Sequence, residues 1–365
     1  MLYNKGVKSL RAALSLALAA FAWHAWASPP TSHPVLERIG TIPMTGVEGR
    51  FDHFSFDEKN GRVFVAALEN HSLEVVDAKR QRRMRSLGGL KEPQAVVFAP
   101  GYQRLLVTSR GDGTLRSFDA HNFVEGGWAD FGRSADNVRY DATSGTVYVG
   151  SKSGKGGAID AVDVRALVPV AQGGTPPLKK SSADLLTTIP RRVDARATLT
   201  LGSPPESFQL DPPRHRMFVN LPEEGVVAVV DLRSFKVAAR WPVPFKDAHP
   251  LAFSAARDRV FVGCRQPPRL LVYRASDGAL LSQQPCAGDT DDLYYDGKNG
   301  RLYLIGGSGE VNVFDARADR PQLLQTVKTG PRARTGTFLP SLQILAVAVP
   351  HTPAHRAEIR LFKAR

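Results

Sequence analysis

The 365 residues contain two cysteines, Cys264 and Cys286. No Cys-x-x-Cys-His haem attachment and no cysteine-based zinc pattern can be formed from them. The signatures of two large hydrolase classes are also missing, since neither G-x-S-x-G nor H-E-x-x-H occurs. Gly150–Gly157, GSKSGKGG, approaches a phosphate-binding loop. It has three residues between its first glycines where four are needed, and Gly156 stands where Ser or Thr must reach Mg²⁺. Aromatic residues make up 8%, which leaves little stacking surface for single-stranded nucleic acid. No apolar run of spanning length follows the N-terminal segment, so the mature chain is expected to be soluble.

The chain opens MLYNKGVKSLRAALSLALAAFAWHAWASPP, with Lys5, Lys8 and Arg11 ahead of an apolar run from Ala12 to Phe21, then Ala25-Trp26-Ala27. This is the pattern of a secretory signal peptide over residues 1–27, and an uncleaved anchor is the alternative. A periplasmic or otherwise exported protein beginning near Ser28 is expected. Formal charge is +13, and a leader with three basic and no acidic residues leaves +10. That balance favours polyanions, although basic exported proteins also occur without any specific partner.

About 340 residues exceed what one packed core usually holds, which points to two domains or a closed repeat. Self-comparison decides for the repeat. FSFDEKNGRVFV, VVFAPGYQRLLV, VRYDATSGTVYV, FQLDPPRHRMFV, LAFSAARDRVFV, LYYDGKNGRLYL and GTFLPSLQILAV share one pattern. Their common position falls at Arg62, Arg104, Thr146, Arg216, Arg259, Arg301 and Ile344, a period near 42 residues with about 28 extra in the third copy. A second strand-and-turn landmark, as in LEVVDAKR and VAVVDLRS, follows each copy at a nearly constant distance. Alternating apolar residues, Asn-Gly hairpins at Asn60-Gly61 and Asn299-Gly300, and this period specify four-stranded antiparallel blades. The expected fold is an all-β, seven-bladed β-propeller over residues 34–365.

The last copy ends at its third strand, and Val35–Pro43 resembles the fourth-strand segments of other copies. The N-terminal strand is therefore expected to close the ring on the C-terminal blade. The extra residues, about 168–196, are rich in Pro, Gly and Ser and carry Lys179, Lys180, Arg191 and Arg192, which reads as an exposed basic loop. Cys264 and Cys286 fall on non-neighbouring strands of one blade, so bridging stays open even in an oxidising compartment.

VYVGS at 147–151 and VFVAALENHSLEVVDA at 63–78 resemble the YVTN-type repeats of bacterial exported propellers. The resemblance covers about residues 34–365 and implies a periplasmic seven-bladed ring. Members of that family share no catalytic motif, and one characterised type binds single-stranded DNA.

Aligning the copies ahead of their first strands gives two rows. The earlier row is Asp52, Gln94, Asp136, Glu206, His249, Asp291 and Arg334, all polar; the later row is His53, Ala95, Asn137, Ser207, Pro250, Asp292 and Thr335. First strands line a propeller's channel, so the earlier row is expected as a polar ring at one mouth. Asp136, Glu206, His249 and Asp291 could take Ca²⁺ or Mg²⁺ on oxygen ligands, or a transition metal with His249 included; carboxylates solvated and neutralised by Arg334 need none. Adjacent residues of a regular strand face opposite ways, so Asp52 and His53 are not expected to share the channel, and Asp292 carries the same limitation.

Three functions fit. The first is a non-enzymatic binding or scaffold propeller using the ring for a small molecule, polymer or protein. The second is a metal-dependent enzyme of lactonase or lyase type at the same ring. The third is single-stranded DNA binding through the basic insertion and through Trp128 and Trp241, taken as exposed.

Overall fold

Seven sheets of antiparallel strands make a seven-bladed β-propeller, a computed structural model that describes residues 34–169 and 190–365. The leader expected at the N-terminus, and Lys179 and Lys180 of the insertion, lie outside the described residues. Blade 1 runs from the channel outward as Phe54–Asp57, Arg62–Ala67, Ser72–Asp77 and Arg82–Leu87. The innermost strands of blades 2 to 7 are Pro93–Ala99, Ser134–Asp141, Phe208–Asp211, Lys246–Ser254, Thr290–Asp296 and Gly336–Leu339. Each meets the next in order, and the seventh meets the first.

Alternation along the strands gives every blade two apolar faces, and each face packs on the neighbouring blade. The result is seven buried clusters, one per interface. Phe64 and Leu73 of blade 1 meet Val96 and Leu105 of blade 2, for example, while Phe218 and Trp241 of blade 4 meet Leu251 and Tyr273 of blade 5. The stability of each blade therefore depends on both neighbours, and an open ring would leave two such faces in water.

The recurring arginine has a physical role at these interfaces. Arg62 holds Asp57 of its own blade at 2.7 Å and donates to the carbonyl of Ala120 in blade 2. Arg216 does the same between Asp211 and the Ala275 carbonyl of blade 5, and Arg301 reaches the Val35 carbonyl beside blade 7 at 3.2 Å. Charge-assisted bonds of this kind contribute about 1.5–3 kcal/mol each. The repeat thus encodes a blade-to-blade clamp as well as a strand.

Closure follows the expectation from sequence. Leu36–Pro43 is the outer strand of blade 7, antiparallel to Glu358–Ala364, with register from Leu36 opposite Ala364 to Pro43 opposite Glu358. Leu36 and Ile42 are fully buried, and Gln325 of blade 6 grips both the amide and the carbonyl of Leu36 at 2.9 and 3.0 Å.

The insertion departs from a simple loop on its described return leg. Arg192–Val193 adds a fifth, parallel strand to the outer edge of blade 2, opposite Trp128 and Ala129. Gly126 and Gly127 let the Leu167 backbone pack within 2.8–2.9 Å of where a Cβ would lie, and a Cβ at Gly127 would also come 3.3 Å from the Arg191 carbonyl oxygen of the return leg. Arg192 then lies over the Trp128 ring at 5.9 Å.

Candidate functional site

In blades 1 to 6 the polar row sits where the first strand is interrupted. In blade 1 the Asp52 amide donates to the Ala66 carbonyl at 2.8 Å while the Ala66 amide donates to the His53 carbonyl at 3.2 Å, so two residues face one. Blade 4 repeats this with Glu206 and Ser207 against Asn220. In blades 2, 3, 5 and 6 the register skips at the same place, between Pro93 and Ala95, Ala135 and Val138, Ala248 and Leu251, and Thr290 and Asp292. Each is a β-bulge, which inserts one residue, bends the strand and re-aims its side chains.

The bulge corrects the expectation that Asp52 and His53 point apart. Strict alternation holds only for a regular strand, and here His53 Nε2 lies 3.6 Å from Asp52 Oδ1 while its Nδ1 lies 3.3 Å from Asp292 Oδ1. Asp292 likewise turns inward, and its other oxygen accepts from the Gly336 amide at 2.9 Å. The carboxylate therefore links blades 6, 7 and 1 across the seam where the ring closes.

Burial alone would strip the proton from His53, but Asp292 and Asp52 more than reverse this and hold it up to about 10. An imidazole that keeps its proton at neutral pH cannot serve as a general base. The Asp52–His53 contact is thus an ion pair, and Asp52 is further held by Arg50 at 2.9 Å.

The ring divides into two arcs. On blades 5 to 7, Asp291 is bound by Arg265 at 2.8 Å and Arg334 at 3.0 Å, and Arg334 also reaches Asp289 at 3.1 Å. Burial would raise Asp291, yet Arg265, His53 and Arg334 hold it below its ordinary value. His249 is pushed down by burial and by Arg265, so it is neutral at pH 7. It lies 3.1 Å from Asp247 and 3.9 Å from Glu206.

On blades 1 to 4 the balance is acidic. Burial pushes Asp52 up to about 7 against the pull of His53 and Arg50, and it raises Asp136 as well. Glu206 is pushed up to about 8 by burial and by the charges of Asp136 and Asp291. Asp136 has no ion-pair partner among the described residues, and its hydrogen-bond contact is Asn137 Nδ2 at 3.5 Å. Gln94, at the bulge between Asp52 and Asp136, is 8% exposed and its Oε1 has no hydrogen-bond partner.

Within the row, then, the structure brings Asp291 to Arg334 and Glu206 near His249, while Gln94 stands unpaired. The four residues considered for a metal are divided between the two arcs. Among the described residues no three His, Cys, Asp or Glu side chains form a group that could hold a metal ion. Row alignment missed Arg50, Arg265 and Asp289, which lie outside the first strands or before the bulge; the acidic run Asp289-Thr290-Asp291-Asp292 was a visible sign of the last.

Two further expectations change. Trp241 is buried, 5.3 Å from Phe218 and 6.1 Å from Tyr273 between blades 4 and 5, and Trp128 is half-buried under Arg192. Neither is an open platform for a nucleic-acid base. Cys264 and Cys286 are free, and they pack into different clusters on opposite faces of blade 5.

No protein-family model matches the chain, and no curated protein matches it by sequence. A solved structure of Kuenenia stuttgartiensis hydrazine synthase is similar at 15% identity and a TM-score of 0.67, with 85% of this chain and 96% of that chain covered. The chain is a β-propeller. A likeness this distant supports the architecture and carries nothing about chemistry. No helix among the described residues is long and apolar enough to cross a membrane.

Proposed function

We propose that this is an exported, non-enzymatic binding propeller, and that the acidic arc of its channel mouth holds a small organic cation such as a primary amine. One observation carries the proposal. Asp52, Asp136 and Glu206 share one mouth, burial raises all three, and the last two lack an arginine or lysine within ion-pair distance among the described residues. Carboxylates in that condition gain most from a bound positive charge. An ammonium group needs hydrogen-bond acceptors, which Gln94 Oε1 and Asp136 supply, and it does not need the three-ligand convergence that a metal requires. The leader-like N-terminus and the resemblance to YVTN-type repeats support a periplasmic setting.

The test is a calorimetric titration with benzylamine across pH. A cation binds the ionised carboxylates, so affinity should rise as pH climbs through about 7 for Asp52 and about 8 for Glu206. Between about pH 6 and 9 the ionised fraction rises about tenfold for Asp52 and nearly a hundredfold for Glu206. The double variant Asp136→Asn, Glu206→Gln should lose the binding. Equal affinity in that variant, or an unchanged affinity across pH, would reject the acidic arc; metal retained through purification would favour the metal alternative.

A further inference from the structure

Within the channel lies a cavity of about 300 Å³ to which all seven blades contribute, from His53 and Ser55 of blade 1 to Thr337 of blade 7. Its charges do not cancel. His53 and Asp292 neutralise one another at 3.3 Å, and Asp292 spends its second oxygen on the Gly336 amide. Arg139 of blade 3 also lines the cavity, and it makes no ion pair among the described residues. Its guanidinium lies over the Phe208 ring at 5.4 Å. Nη1 donates to the Val138 carbonyl at 2.8 Å and Asn137 Oδ1 at 3.4 Å, and Nη2 donates to Ser207 Oγ at 3.4 Å. Nε and the second hydrogen of Nη2 are left without a protein partner, and these form the edge on which a planar oxyanion can bind with two parallel bonds.

The rest of the wall fixes the kind of anion. Phe54, Phe56, Phe253 and Leu293 give it an apolar side, while the Ser55 hydroxyl accepts from the Phe98 amide at 2.9 Å and keeps its own hydrogen to donate. One excess positive charge beside apolar wall suits a monoanion with an apolar body; a dianion would keep an unpaired charge out of water. The volume lies at the small end of the range for ligand pockets.

We propose that the channel interior is a second binding site, distinct from the acidic mouth, that takes a small carboxylate with its carboxyl group on Arg139 and its apolar body against the phenylalanines. The two sites use different ligand contacts; Asp136 acts on Arg139 through its charge and His53 pairs with Asp52, so each site is read with its own probe and its own variant.

The experiment is calorimetry on the purified protein with benzoate, and with benzylamine and inorganic phosphate in parallel. Benzoate should bind, and Arg139→Gln should weaken it by at least about tenfold. Arg139→Lys keeps the charge without the fork and should fall between the two, which also covers a failure of the glutamine variant to fold. The double variant Asp136→Asn, Glu206→Gln should lose benzylamine and keep benzoate. The proposal is overturned if benzoate gives no binding at millimolar concentration, if either Arg139 variant binds it as the parent does, or if phosphate binds more tightly than benzoate.

Discussion

Replacing Asp292 by Asn tests the charged cluster at the ring seam. The amide can still accept from the Gly336 N–H, so the backbone contact survives. Its NH₂ group then faces His53, a donor against a donor, and the imidazolium loses the stronger of its two carboxylate partners. Removing one member of a buried ion pair costs about 3–5 kcal/mol. The pH dependence identifies the cause. In the parent, His53 keeps its proton to about 10 in the folded state against 6.5 in a free chain. The folded state is therefore the better proton binder between those values. Its advantage is complete below 6.5 and lost as pH rises through 10, up to about 5 kcal/mol at 1.36 kcal/mol per pH unit.

Asp52 and Glu206 act in the same direction. Their folded values, about 7 and about 8, lie above 3.8 and 4.5, so the folded state again binds protons that the unfolded chain has released. Parent stability should therefore fall steadily from about pH 5 to about pH 9. In Asp292→Asn the His53 contribution shrinks, so the gap between the two proteins should be widest near pH 6 and narrow toward pH 10. Guanidinium denaturation at several pH values gives the gap, and carbon-13 detection of the His53 ring gives its titration. A gap that does not change with pH, or a parent His53 that titrates near 6.5, would refute the sandwiched imidazolium.

Three other outcomes follow from the fold. Ile42→Ala empties a fully buried position on the closing strand and should cost about 2–5 kcal/mol by chemical denaturation, and deleting residues 34–43 should abolish cooperative unfolding; near-native melting of the deletion would contradict closure. Gly336→Ala places a methyl 2.3 Å from the Ala346 carbonyl oxygen and 2.7 Å from Ile305 Cδ1, so a loss of about 1–3 kcal/mol is expected, and unchanged stability would mean the seam has slack. Cys264 and Cys286 serve different interfaces, so a reductant should leave the melting temperature unmoved; a clear drop would show a disulfide.

The blades were legible because every interface has the same needs. Each requires apolar residues on both faces and, in most copies, an arginine such as Arg62 or Arg216 reaching the next blade, so the requirement recurs with the period. The members of the polar row were legible for the same reason. Their directions were not. Asp52-His53-Phe54-Ser55-Phe56 alternates like a regular strand, and the extra residue appears only against the partner Ala66. The His53–Asp292 pair joins positions 239 apart on blades that are not neighbours, which no local pattern encodes. Trp241 lies in an outer strand rich in exposed residues, and it is buried because the Tyr273 ring of blade 5 covers it. The return strand Arg192–Val193 pairs with the outer edge at Trp128 and Ala129, a feature of another blade.

The ring's internal copies separate structure from function without any second sequence. Where the copies agree, as at the apolar faces, the residue answers a demand that all interfaces make, and the arginine clamp recurs at the four interfaces of Arg62, Arg216, Arg259 and Arg301. The bulge recurs in the backbone of blades 1 to 6, while blade 7 keeps a regular register there, and the side chains of the row are Asp, Gln, Asp, Glu, His, Asp and Arg. A merely hydrated mouth would be served by one repeated polar residue, and it would not gather buried acids on one arc and arginines on the other. Burial, with neighbouring acids adding to it, raises Asp52 and Glu206 and so costs folding stability above neutral pH. A cost borne at one arc, while Arg265 and Arg334 neutralise Asp291 on the opposite arc, is consistent with the proposed site for an external cation.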